Sequence, residues 1–67
     1  MLENPKYKVN DPIILSEDLP GQYLFKGQKG TIVEILEEDL YDVEFLAEDG
    51  NVYCIIPLES SKFNKDL

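Results

Sequence analysis

The chain has 67 residues, 43% of them hydrophobic, and its six lysines face fourteen acids for a net charge of −8. A chain of this length forms one domain with a small core, and it leaves little room for the enclosed cleft in which an enzyme holds its substrate. The acidic balance and the lack of arginine argue against direct binding to nucleic acid or to an anionic membrane, because both require a basic face.

Cysteine usage predicts the compartment. Cys54 is the single cysteine, so no intramolecular disulfide can form, whereas small secreted domains usually carry several. There is also no charged-then-apolar leader and no long apolar run. We therefore expect a cytoplasmic protein with a polar lead-in over residues 1–8 and a single domain over residues 9–65.

The first third of the chain predicts one strand and a long loop. Val9–Leu15 holds a short apolar run, and Pro12 restricts it to a strand start or an edge strand, because proline donates no ladder hydrogen bond. Ser16–Gln28 contains the turn markers Pro20, Gly21 and Gly27. Four large hydrophobic residues lie in this loop, so we expect it to fold back over the core: Leu19, Tyr23, Leu24 and Phe25.

The remainder predicts a meander of short strands. Gly30–Leu36 is rich in β-branched residues, and Tyr41–Ala47 alternates apolar and acidic residues with the period of a strand. The segments that follow are an Asp49-Gly50 tight turn, a strand over Val52–Ile56 ended by Pro57, a 3₁₀ turn within Leu58–Lys62, and a short strand from Phe63.

Register predicts which side chains are internal. A two-residue turn at Asp49-Gly50 pairs Phe45 with Cys54, and it also pairs Val43 with Ile56 and Ala47 with Val52. In the preceding hairpin, an odd loop length places Val33 and Ile35 on this internal face, because an even loop would bury Glu34. The opposite face then carries Ile32, Leu46, Tyr53 and Ile55 among Glu34, Asp42 and Glu44. Either the long loop covers these apolar residues or a partner does.

The sequence contains no convincing catalytic or ligand motif. Gly27-x-x-Gly30 leads into a strand and lacks the Gly-Lys-Ser/Thr ending of a phosphate loop, and Cys54 has no histidine to activate it. Four acids are possible oxygen ligands, but no calcium-loop spacing joins them: Glu37, Glu38, Asp39 and Asp49. We predict no enzyme activity, no metal site and no cofactor.

Three segments resemble a family of small bacterial domains of unknown function. They are DLP at 18–20, KGQKGTIVEIL at 26–36 and YDVEFLAEDGNVY at 41–53, which are similar to the family's EDLP, G-x-x-G-T-V-V-E and YEVEF-Asp-Gly elements. The resemblance implies an all-β, SH3-like five-stranded barrel with a long first loop and a 3₁₀ turn before the last strand. It also implies an association with toxin-like genes, as an antitoxin or immunity partner would have.

The leading functional hypothesis is a non-catalytic module that binds and neutralises or regulates a basic protein. A nucleic-acid mimic that inhibits a nuclease, and a structural accessory subunit or homodimer, remain open as alternatives. Polyproline recognition is disfavoured because the chain has no tryptophan. The candidate partner-binding residues are Glu34, Asp42, Glu44, Leu46, Tyr53, Ile55, Glu37, Glu38, Asp39, Tyr23 and Phe25.

Overall fold

The structure is a computed structural model that describes residues 6–67. Five strands form one antiparallel sheet in the order β4-β3-β2-β1-β5. The strands are β1 (Pro12–Leu15), β2 (Lys29–Glu37), β3 (Leu40–Leu46), β4 (Val52–Glu59) and β5 (Phe63–Lys65), and two 3₁₀ helices span Pro20–Gln22 and Ser60–Lys62. The all-β prediction is confirmed. Within residues 6–67 no ladder joins β4 to β5, so the predicted closure into a barrel is not confirmed.

The core lies on one side of this sheet, which we call the inner face. In β3, Tyr41, Val43 and Phe45 are buried and alternate with more exposed neighbours, as the period of a strand requires. The remaining buried core residues are Ile13, Leu15, Leu24, Ile32, Leu58 and Phe63. Tyr7, at the end of the predicted lead-in, packs its ring on Tyr41 and Phe63; residues 1–5 of that lead-in lie outside the described part.

The long first loop folds over the inner face, as predicted. Leu19 and Leu24 bridge the two sides of the 3₁₀ helix Pro20–Gln22, and Leu24 is fully buried in the core. The N–H of Lys26 donates to the Asp18 carboxylate at 2.8 Å and thereby closes the loop at its base. The opposite face of the sheet, which we call the outer face, is therefore not where this loop packs.

Gly30 allows β2 to pair on both sides. Residues Lys29–Thr31 of β2 pair with β1, and β2 pairs with β3 from Thr31 onward. A Cβ at Gly30 would lie 2.9 Å from side-chain atoms of both Val43 and Phe45, and 3.0 Å from the Glu44 carbonyl oxygen. Only glycine fits this close approach to β3 without displacement of the neighbours.

The β2–β3 hairpin corrects part of the predicted register. The connection is the two residues Glu38–Asp39, an even length and not the odd length predicted. A bulge between Ile35 and Glu37 offsets this difference, so Glu34 stays opposite Asp42 and remains exposed. A second bulge between Ile32 and Glu34 leaves Val33 as the extra residue of β2, so Ile32 and not Val33 lies on the inner face opposite Val43. Ile32 is fully buried opposite Val43, so its predicted outer position is wrong.

The β3–β4 hairpin turns differently from the prediction. The Gly50 N–H donates to the Ala47 carbonyl at 2.9 Å, and the Ala47 N–H donates to the Asn51 carbonyl at 2.8 Å. With Gly50 at φ +89°, this is a three-residue loop with glycine in the left-handed region. A bulge then restores the predicted Phe45–Cys54 and Val43–Ile56 pairs, whereas Leu46 pairs with Val52. The predicted Ala47–Val52 pair is wrong.

Strand β4 also continues through Pro57, where the sequence pattern predicted its end. It tolerates proline because it lies at the edge of the sheet. Hydrogen-bonded and non-hydrogen-bonded residue pairs alternate along an antiparallel ladder. The Ser60 N–H donates to the Asp39 carbonyl oxygen, so the pair at this end of the ladder is a hydrogen-bonded one. Three residues earlier in β4, Pro57 therefore occupies a non-hydrogen-bonded pair with Asp42, where an N–H would point away from β3. The missing donor therefore removes no β3–β4 bond.

Candidate interaction surface

The outer face is built by alternate residues of β2, β3 and β4. Glu34 lies directly opposite Asp42, Glu44 opposite Ile55, and Leu46 opposite Val52. Directly opposed residues in an antiparallel pair project their side chains to the same side of the sheet. Three of the predicted acids and two of the predicted apolar residues thus share one continuous surface, with Val52 as an additional member.

Within the described part of the chain, the acids of the outer face take part in no ion pair. The ion pairs of residues 6–67 join Lys29 to Asp66, Lys62 to Glu17 and Lys65 to Asp11, and none includes Glu34, Asp42 or Glu44. Glu34 and Asp42 even face each other directly, an arrangement that destabilises a sheet by a few tenths of a kcal/mol. The fold itself gains nothing from this placement.

We expect Glu34→Lys to raise the free energy of unfolding by roughly 0.5 kcal/mol, because it replaces an opposed like-charge pair with an opposite-charge pair. Urea unfolding at low ionic strength measures the change. Glu48→Lys, in the β3–β4 loop, is the matched control, since it makes the same change in net charge away from the ladder. An equal gain in both variants would show that overall charge, and not the Glu34–Asp42 contact, is responsible.

The apolar members of the outer face are half-exposed. Leu46, Val52 and Ile55 keep 54%, 56% and 50% of their accessible surface. Single exposed hydrophobic residues are ordinary on proteins, but a group of them on neighbouring strands is typical of a contact surface. Val52 was missed because the assumed two-residue turn assigned it to the core. The Glu-Asp-Gly sequence also suits a three-residue loop, which would have placed it outside.

Tyr53 differs from this group in its pairing. It is the bulged residue opposite Phe45, and it does not pair with Leu46 as the predicted turn required. Its hydroxyl donates to the Gln22 carbonyl at 3.2 Å, which ties the start of β4 to the long loop. In that loop Tyr23 is 75% exposed with φ +57°, and Phe25 is also exposed. Tyr23, Phe25 and Tyr53 are all exposed, and we call them the aromatic region.

The acids where β2 turns into β3, which we call the turn acids, follow one another at the end of the hairpin. Glu37, Glu38 and Asp39 border a shallow depression together with Leu40 and Glu59. The Ser60 hydroxyl donates to the Asp39 carboxylate at 3.3 Å. Within residues 6–67 no group of three or more acids, cysteines or histidines is arranged to hold a metal ion.

Cys54 lies half-buried opposite Phe45 and packs against the core, as predicted. Burial raises the pKa of its thiol above the ordinary value. At neutral pH this reduces the fraction of thiolate, the form that acts as a nucleophile. The position therefore suits packing and not covalent chemistry.

Together these features define a class: a small all-β domain with one open antiparallel sheet, an apolar inner face and an acidic, partly apolar outer face. The chain belongs to the family described as a domain of unknown function (DUF4926), whose model matches residues 9–65. Comparison with the curated proteins and with the solved structures gave no significant match. Within residues 6–67 there is no helix with the length and hydrophobicity needed to cross a membrane.

Proposed function

We propose that this protein is a non-catalytic interaction module that binds a basic protein through the outer face. The observation that carries the proposal is the placement of three acids that form no ion pair within residues 6–67, Glu34, Asp42 and Glu44, beside the half-exposed Leu46, Val52 and Ile55. Complementary charge accelerates and orients association, and burial of apolar area supplies affinity.

The two kinds of residue support a docking role better than a solubilising one. A surface that only keeps a protein soluble mixes both signs of charge and avoids adjacent apolar residues. Among the paired residues of β2, β3 and β4 the outer face does neither, and Lys29, which borders Glu44 and Leu46, forms its ion pair with Asp66. The outer face also includes the opposed pair Glu34 and Asp42, which lowers stability in a domain with little to spare.

The proposal extends to fold and biological role. We propose that the sheet represents an SH3-like barrel, supported by the strand order, the long first loop and the 3₁₀ helix Ser60–Lys62 before β5. The role that best suits an acidic, partner-binding domain of this kind is that of an antitoxin or immunity protein, which neutralises or regulates a basic partner. Within that role the turn acids Glu37, Glu38 and Asp39 extend the negative surface beyond the outer face.

The test begins with capture of the partner from an extract of the source cells on the immobilised protein. Amide hydrogen exchange of the purified complex then maps the contact. We expect a basic partner that slows exchange in β4 around Val52 and Ile55 and leaves Tyr23 in the long loop unchanged. Protection confined to the loop around Tyr23 and Phe25 would contradict the proposal, since it would place the contact on the aromatic region.

A further inference from the structure

We infer that the free edge of β4 is a strand-addition site, at which an extended basic segment of the partner pairs with Val52–Ile56. This inference rests on the proposed function and specifies its binding mode. It joins two features: a sheet edge without a pairing partner in residues 6–67, and acids on the adjoining outer face.

The edge of β4 has backbone hydrogen-bonding groups that no strand of residues 6–67 pairs with. Strand β4 is the last strand of the sheet. Ile55, like Pro57, lies in a non-hydrogen-bonded pair with β3, so its N–H and C=O groups point away from β3. Pro57 occupies the next such position and has no N–H to offer. A strand that pairs with β4 from the β3–β4 loop onward could therefore accept a hydrogen bond from the Ile55 N–H but not from Pro57.

The edge also lacks the usual protection by charge. From Val52 to Leu58 the strand carries no charged residue, and Val52, Tyr53 and Ile55 are exposed. Natural edge strands are normally blunted by lysine, proline or a bulge, because unpaired edges associate. Here the bulge at Tyr53 and Pro57 interrupt the edge, and the stretch around Ile55 between them remains available.

The side chains around the edge specify the occupant. Side chains of an added strand alternate between the two faces. Those on the outer face would lie beside Ile55 and about two strand spacings, roughly 10 Å, from Glu44, a separation that a long basic side chain shortens. Those on the inner face would lie beside the half-buried Cys54 and Ile56. The fitting segment therefore alternates lysine or arginine with apolar residues.

A second copy of the chain fits this edge less well. Each copy carries a net charge of −8, so pairing two β4 edges would bring two strongly acidic molecules together. A basic segment instead gains attraction from the same acids. Charge complementarity thus favours a basic partner at this edge.

The test uses an eight-residue capped peptide of alternating lysine and valine as the probe, with NMR-detected amide exchange on the protein. We expect the Ile55 amide to become protected on binding, whereas the Glu59 amide beyond Pro57 stays unprotected. A peptide of the same composition, arranged as four lysines followed by four valines, is expected to bind about tenfold more weakly, because its charges cannot alternate between the faces. Absence of binding by the alternating peptide would overturn the inference.

Two protein variants separate the backbone contribution from the side chain. Ile55→Pro removes the edge donor but no β3–β4 bond, and we expect about tenfold weaker binding. Ile55→Val keeps the donor and removes one methylene from the outer face, so we expect a loss of no more than about fourfold. If binding depends on Glu44 but the Ile55 amide stays unprotected, strand addition is wrong while the proposed function stands. If binding is insensitive to Glu44→Lys, the proposed function fails.

Protection of Ile55 that rises with protein concentration in the absence of peptide would identify a second copy as the occupant and overturn the inference.

Discussion

Replacement of Gly30 by alanine is expected to lower the free energy of unfolding by about 1–3 kcal/mol, the usual result of overpacking a well-filled core. The added Cβ would lie 2.9 Å from the side chains of Val43 and Phe45, and the Glu44 carbonyl oxygen is 3.0 Å away on the backbone of β3. Since the last of these contacts is with main chain, rotation of a side chain cannot relieve it. For a domain of this size the change corresponds to a fall in Tm of roughly 4–8 °C per kcal/mol.

Gly21→Ala is the control for this prediction. A Cβ at Gly21 would meet nothing within 4 Å, and its φ lies outside the left-handed region. We expect a change of no more than a few tenths of a kcal/mol, and a slight stabilisation if the added methyl group restricts the unfolded chain. Thermal unfolding of both variants measures the difference. Equal stability of the two would show that β2 does not approach β3 as closely as described.

Reversal of the three outer-face acids is expected to have the largest effect on binding. The triple variant Glu34→Lys, Asp42→Lys and Glu44→Lys should bind the basic partner roughly 100-fold more weakly, at about 1 kcal/mol for each reversed charge. Isothermal titration against the captured partner at low ionic strength measures the loss. The fold should survive, because all three side chains project from the outer face and Glu34→Lys relieves an opposed like-charge pair.

The control is the triple variant Glu37→Lys, Glu38→Lys and Asp39→Lys. It makes the same change in net charge, but at the turn acids of the β2–β3 hairpin. We expect a loss of less than about tenfold, since these side chains can only act on the partner from the margin of the contact. If the turn variant loses as much affinity as the outer-face variant, attraction is a property of net charge and the outer face has no special role.

The sequence predicted the strands better than the connections between them. Tyr41, Val43 and Phe45 alternate regularly with acids, so the inner face of β3 could be read directly. The bulges at Val33 in β2 and at Tyr53 in β4 have no signal in the sequence, because neither has a glycine at the irregular position. The Phe45–Cys54 pair was predicted correctly from an incorrect loop, because the longer turn and the bulge at Tyr53 shift the register in opposite directions.

The candidate surface was predictable to the same extent. Glu34, Asp42 and Glu44 reach the outer face because burying a carboxylate is costly, a constraint that holds whatever the turn. Ile32 and Val52 are apolar and can lie on either face, so their positions depended on the unmarked bulges and the loop length. Whether the long loop covers the outer face also depended on tertiary packing. The burial of Leu24 in the core shows that the loop packs on the inner face and not on the outer face.

The most direct test of the outer face as the docking surface is the dependence of partner affinity on salt, measured for the unmodified chain and for both triple variants between about 0.05 and 0.5 M salt. Exposed charges lose their attraction as screening increases. We predict a steep fall in affinity for the unmodified chain and for the turn variant, and a flat or rising profile for the variant of Glu34, Asp42 and Glu44. An unchanged affinity and an unchanged salt profile in the outer-face variant would contradict the account.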